Sequence, residues 1–168
     1  MQIVPKRRRV ALSAAAPFAN DDDEEEDVAC IARRLEQQGT AHALAGRWGA
    51  ALSCFSEAIA TSSSPTLYEQ KAQVLLVLGR NFEAVQAASA ALAQAPSFGD
   101  AALTLARAQL QLGEPVLALR SAEQALELGC LEASEELGQI EDALLMAARA
   151  TNGQYSGAEL ALAMRSSR

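Results

Sequence analysis

From Val28 onward, aliphatic residues recur at helical spacing in long segments separated by short breaks. The breaks recur as well. The segments AHALAGRWGAALSCFSEAI, QVLLVLGRNFEAVQAASAAL and AQLQLGEPVLALRSAEQAL align with Gly46, Gly79 and Gly113 in step, at intervals of 33 and 34 residues. Ala51, Ala84 and Ala118 keep those intervals, and so do Ala58, Ala91 and Ala125. A period near 34 predicts a helical hairpin repeated in a stack, an all-α right-handed solenoid. In each unit a first helix of about 13 residues should end at the glycine, which tolerates a left-handed cap. A second helix should follow the turn. Pro115 stands where a first-turn proline leaves no backbone donor wanting. The alanines, seven apart, form one stripe on the second helix, where small side chains let two backbones approach.

The units are expected over residues 32–64, 65–98 and 99–132. LEASEELGQIEDALLMAARA continues as an amphipathic capping helix over about residues 131–150, with Leu137, Ile140, Leu144 and Leu145 at helical spacing among five acids. Residues 28–150 thus read as one repeat domain. In residues 151–168, Ser156 and Glu159 stand in capping-box spacing and predict a short helix over 157–165. Residues 1–27 read as a charged, unfolded tail, because the run DDDEEED places seven like charges side by side.

Composition narrows the class. Half of the 168 residues are hydrophobic and only 4% aromatic, so the core must be aliphatic. The formal charge of −7 is partly local: Asp21 to Asp27 and Lys6 to Arg9 set aside, residues 28–168 carry −4. A mildly acidic body argues against a broad nucleic-acid face, which needs clustered cations. The longest apolar run, Val74 to Leu78, is far short of the roughly 18 residues of a membrane span. Cys30, Cys54 and Cys130 are scattered and odd in number, fitting neither a disulfide framework nor a zinc site. A soluble, intracellular, helical protein is expected.

Little in the chain suggests catalysis. His42 is the single histidine and is assigned a packing role; no partner histidine exists for a metal site. The cysteines are read as small buried hydrophobes. The glycines belong to helix turns rather than to a phosphate-cradling loop after a strand. Glu135 and Glu136 are adjacent on a helix and point in different directions. No enzyme activity, metal or cofactor is expected.

The small residues Gly39, Ala72 and Ala106, the alanines of the second helices, Phe55 and Pro96 together resemble the tetratricopeptide repeat. The resemblance covers roughly 100 residues. The chain departs from the pattern where Ala88 and Ala122 replace the second-helix aromatic, and where Ser63 and Cys130 replace the closing proline. The stretches TLYEQKAQVLLVLG and LARAQLQLGEPVLALRSAEQAL are also similar to the second and third repeats of one three-repeat, non-enzymatic member of that family.

What the resemblance implies is a concave groove lined by the first helices, suited to a peptide or helix of a partner protein. Its lining would come from Arg33, Glu36, Gln37, Thr40, Ala43 and Leu44, then Thr66, Glu69, Gln70, Gln73, Leu76 and Val77. The third repeat would add Asp100, Leu103, Thr104, Arg107, Leu110 and Gln111. Co-chaperones of the family hold terminal carboxylates with lysine, arginine and asparagine at five positions, which here carry Glu36, Thr40, Gln70, Asp100 and Thr104. Two acids among five would repel a carboxylate, which argues against chaperone tails as partners. Helical-repeat RNA binding, a rival reading, needs a basic groove, and this lining has two cations against three acids.

The segment PKRRRV, with Lys6, Arg7, Arg8 and Arg9 consecutive, resembles a nuclear import signal. An organelle transit peptide is the competing reading, since residues 1–20 hold four cations and no acid. The expected function is a non-enzymatic adaptor that binds a partner segment in its groove, in a nuclear complex. The alternative is a structural subunit that uses its convex face.

Overall fold

The computed structural model describes residues 21–150, with side-chain surroundings from Val28 to Met146. Over that span the chain forms α1 (Asp21–Leu44), α2 (Trp48–Thr61), α3 (Pro65–Val77), α4 (Asn81–Gln94), α5 (Gly99–Gln111), α6 (Pro115–Glu127) and α7 (Ala133–Ala150). The second and third hairpins fall inside their expected units, α1 begins ahead of the first unit's start at residue 32, and α7 takes the place of the capping helix.

The glycines end the first helices as their spacing implies. Gly46, Gly79 and Gly113 have φ of 71°, 71° and 82°, a left-handed backbone that glycine adopts without a Cβ penalty. Around each, paired bonds close the helix end: Gly46 N–H donates to Ala43 O and Arg47 N–H to His42 O, both at 2.9 Å. The fourth member was not foreseen. Gly129, φ 87°, makes the same turn between α6 and α7, with Cys130 N–H donating to Ala125 O at 3.0 Å. At the other ends, Pro65 and Pro115 occupy first turns, and Ser64 Oγ accepts from Leu67 N–H at 3.3 Å.

The alanine stripes sit at the centre of the stack. Ala51, Ala84, Ala118, Ala58, Ala91 and Ala125 are all fully buried. Larger side chains fill the space between hairpins: Phe55, Leu67 and Val74 join the first to the second, and Leu119, Ile140 and Leu144 seal the third against α7. Each hairpin packs its own two helices, then sets the next first helix against the preceding second one. Among first helices, α3 touches α5 and α5 touches α7, while successive second helices keep further apart. The stack therefore curves toward α1, α3, α5 and α7, which line its inner face.

One boundary differs from the expectation. The sequence pattern ends the charged tail at residue 27, yet α1 starts at Asp21, so the acidic run is helical backbone. Acids are favoured in a helix's first turns, where unpaired N–H groups leave partial positive charge. Lys6, Arg7, Arg8, Arg9 and the short helix expected over 157–165 lie outside the described residues.

Candidate functional site

The inner face is built from the same turn of successive first helices, so residues about 33 apart in sequence come side by side. Arg33, Gln37 and Thr40 on α1, Gln73 on α3, and Asp100 and Gln111 on α5 are exposed there. Glu36, Gln70 and Arg107 are half-buried. Three expected lining residues are not open. Glu69 is only 5% exposed and Thr104 is buried, because each covers the other across the α3–α5 contact. Leu103, also expected in the lining, is buried in the core beside Ala125 and Ala133.

Glu69 is the centre of the polar network. Its Oε1 accepts from Thr104 Oγ1 at 3.0 Å and from Gln73 Nε2 at 2.5 Å. Both bonds reach one oxygen. Burial pushes its carboxyl above the ordinary range, against the hydrogen bonds from Thr104 and Gln73, which pull it down. The charge of Asp100 adds to the rise and that of Arg107 opposes it. The neighbouring amide has an unmet need as well: Gln70 Oε1 is buried with no hydrogen-bond partner.

Arg107 is not a free cation. Its Nε donates to Glu136 Oε1 at 2.6 Å, and its guanidinium lies 3.9 Å from Glu132 Oε2. It joins the third repeat to the capping helix, a tie that motif spacing within one repeat does not reveal. Glu136 and Glu132 thereby enter the groove's charge balance, which is more acidic than the three-to-two count of the expected lining. The signal that would have found them is the 34-residue spacing of Pro65, Gly99 and Ala133, which makes α7 a fourth first helix.

Further out, two aliphatic side chains stand unpartnered at equivalent places on successive helices. Leu44 is 86% exposed and Val77 57%. Other expected roles differ. His42 is half-buried and its Nδ1 accepts from Arg47 Nε at 3.0 Å, so it braces the α1–α2 turn rather than filling the core. The cysteines are not core residues: Cys30 is exposed, while Cys54 and Cys130 are half-buried. The Cys130 thiol donates weakly to Asp100 Oδ1 at 3.7 Å. Among the described residues, no group of three or more His, Cys, Asp or Glu is placed to hold a metal ion. No helix among them is long and apolar enough to cross a membrane.

No family model matches the chain. Over 97 residues it is 44% identical to tetratricopeptide repeat protein 33 of Xenopus laevis and 41% identical to that of Homo sapiens. The match takes in 57% of this chain but only 38% and 37% of those two proteins, so they extend well beyond what is shared. Among solved structures, the first TPR of Spaghetti (RPAP3) bound to the HSP90 peptide SRMEEVD superposes with a TM-score of 0.67 at 24% identity. It covers 69% of this chain and 94% of that one. The TPR2B domain of yeast Sti1 in complex with an Hsp70 peptide superposes with a TM-score of 0.60 at 21% identity, covering 68% and 93%. At these identities the structural likeness speaks to the fold. The described residues have the fold of tetratricopeptide-repeat domains, a solenoid of three hairpins and a capping helix, and the chain is similar over 97 residues to tetratricopeptide repeat protein 33.

Proposed function

We infer that the chain is a protein-interaction module that holds an extended segment or helix of a partner in its concave groove, acting as an adaptor. The observation that carries this is the groove itself. Exposed amides and hydroxyls (Gln37, Thr40, Gln73, Gln111) stand beside the unpartnered Leu44 and Val77. Amides bond a peptide backbone and aliphatic side chains take an anchor, which is the combination peptide recognition requires. That solved structures of this fold hold peptides supports the reading.

The partner is not expected to be a chaperone's acidic tail. Of the five positions where co-chaperones grip carboxylates, Glu36 and Asp100 are acidic, and Thr104 is buried against Glu69. The acidic balance likewise argues against RNA. A structural role through the outer face is the second reading, favoured by Phe82, 65% exposed at the start of α4, and by the exposed Leu117 on α6. Nuclear import remains a proposal that rests on Lys6 to Arg9.

Affinity capture from cells, comparing the intact chain with a Gln37→Lys, Gln111→Lys double variant, tests the reading. These residues are exposed and their side chains make no hydrogen bond in the stack, so the fold should be unchanged. Partners lost only with the variant support groove binding. Identical partner sets would point to the outer face and overturn it.

A further inference from the structure

The turns that close α1, α3 and α5 come side by side along one edge of the stack, and their charge changes sign from end to end. The residue just before each second helix is Arg47, Arg80 and Glu114, at intervals of 33 and 34. All three are exposed. Arg80 is neutralised within its own turn, where Nε donates to Glu83 Oε1 at 2.7 Å and Nη2 to Oε2 at 2.5 Å. Arg47 Nε donates to the His42 ring at 3.0 Å, and its guanidinium has no ion pair among the described residues. The Glu114 carboxylate has neither hydrogen bond nor ion pair among them. The edge is positive at one end, balanced in the middle and negative at the other.

Side-chain size follows the same direction. Leu112 and Leu117 stand exposed on the third turn, and Leu78 and Phe82 on the second. The first turn has Ala45, Gly49 and Ala50 in the equivalent places, all exposed, with nothing within 4 Å of a Cβ built at Gly49. One end protrudes and the other is recessed. Asn81 Nδ2 donates to Gln111 O at 3.2 Å and ties the second turn to the third, so the edge is formed in the single chain. An exposed apolar patch rimmed by charge marks an interaction surface.

We propose that this edge pairs two copies of the chain about a two-fold axis. A two-fold interface sets one patch against itself, so its two ends must complement each other. Turned end for end, a second copy brings its Glu114 to Arg47 and its Arg47 to Glu114. It seats Leu112 and Leu117 over Ala45, Gly49 and Ala50, and the two Phe82 rings stack at the axis. An unrelated partner requires neither the sign reversal nor the matching change in size. None of the residues that pair lines the groove, so the pairing leaves the inner face free and stands apart from the groove reading.

Sedimentation velocity of the full chain over micromolar concentrations tests the pairing. It should show a concentration-dependent species of twice the 17.7 kDa monomer. Arg47→Glu and Glu114→Arg should each weaken association at least about tenfold, because each sets like charges against one another at both ends. An equimolar mixture of those two variants should restore it, since opposite charges then meet at both ends. Phe82→Asp, a change at an exposed position, should also weaken it at least about tenfold. A monomer at every concentration overturns the pairing. So does a dimer that keeps its strength in Phe82→Asp, which would lie on another face. A mixture no stronger than its separate components, both folded by circular dichroism, overturns the two-fold arrangement.

Discussion

Gly39 on α1 faces the ring of Phe55 on α2 so closely that a Cβ built at residue 39 would lie 2.7 Å from Phe55 Cε1. The later repeats make the complementary choice. Ala72 shares a core cluster with Ala88, and Ala106 with Ala122, so each hairpin pairs either glycine with phenylalanine or alanine with alanine. The missing second-helix aromatic of the later repeats is therefore matched by alanine where the first repeat has glycine.

Gly39→Ala should consequently destabilise the chain, although alanine is the better helix former by about 1 kcal/mol. The buried ring has no room to retreat, and overpacking of this kind costs about 1–3 kcal/mol. Phe55→Ala alone should cost about 3–5 kcal/mol through the cavity it leaves. In the double variant the clash disappears, so the two losses should not add. Urea unfolding of the four proteins measures the coupling, and strict additivity would contradict the pairing.

The turn glycines make a different prediction, because nothing lies within 4 Å of a Cβ at Gly79. Its φ of 71° is the whole constraint. Gly79→Ala should cost about 1 kcal/mol from left-handed backbone strain. Gly49, inside α2 with equally open surroundings and no positive φ, should gain about 0.4–1 kcal/mol on replacement by alanine. Opposite signs for two glycine-to-alanine changes would confirm that conformation decides them.

These turns were legible in the sequence because they depend on local backbone demands that repeat every 33 or 34 residues. The alanine stripes were legible for the same reason. Burial within the groove was not. Glu69 is closed off by Thr104, 35 residues away, and Arg107 is neutralised by Glu136, 29 residues away. A single-repeat template assigns a position to a face, while the adjoining repeat decides whether the side chain is free there. The acidic run was misplaced because repulsion between neighbours is visible in sequence, whereas the helix that it begins is not.

Glu69 links stability to pH. Burial raises its carboxyl, so the folded chain takes up this proton at a higher pH than the unfolded chain does. The stability contribution is then full below the ordinary glutamate value of about 4.3 and is lost as pH rises through the raised value. Glu69→Gln abolishes that dependence and keeps an oxygen to accept from Thr104. The variant should be more stable than the parent at pH 7, with the difference closing toward pH 4. Thermal midpoints of both proteins across that range provide the check, and a constant difference would contradict it.

Arg107 should act on the capping helix. Its bond to Glu136, whose side chain is 13% exposed, is the polar tie between α5 and α7. Arg107→Ala should lower stability by roughly 1 kcal/mol, the upper end for a partly exposed ion pair. Amide exchange should accelerate in α7 before it does in α3 or α4, as expected of a terminal unit loosened on one side. Uniform acceleration through all helices would mean that the tie is not local.

The central claim is that the inner face, rather than the outer one, meets the partner. A photoreactive phenylalanine analogue at Gln111 tests the groove, and the same group at Arg120, exposed on α6, tests the outer surface. The account predicts partner crosslinks from position 111 and none from position 120. Crosslinks from position 120 alone would contradict it.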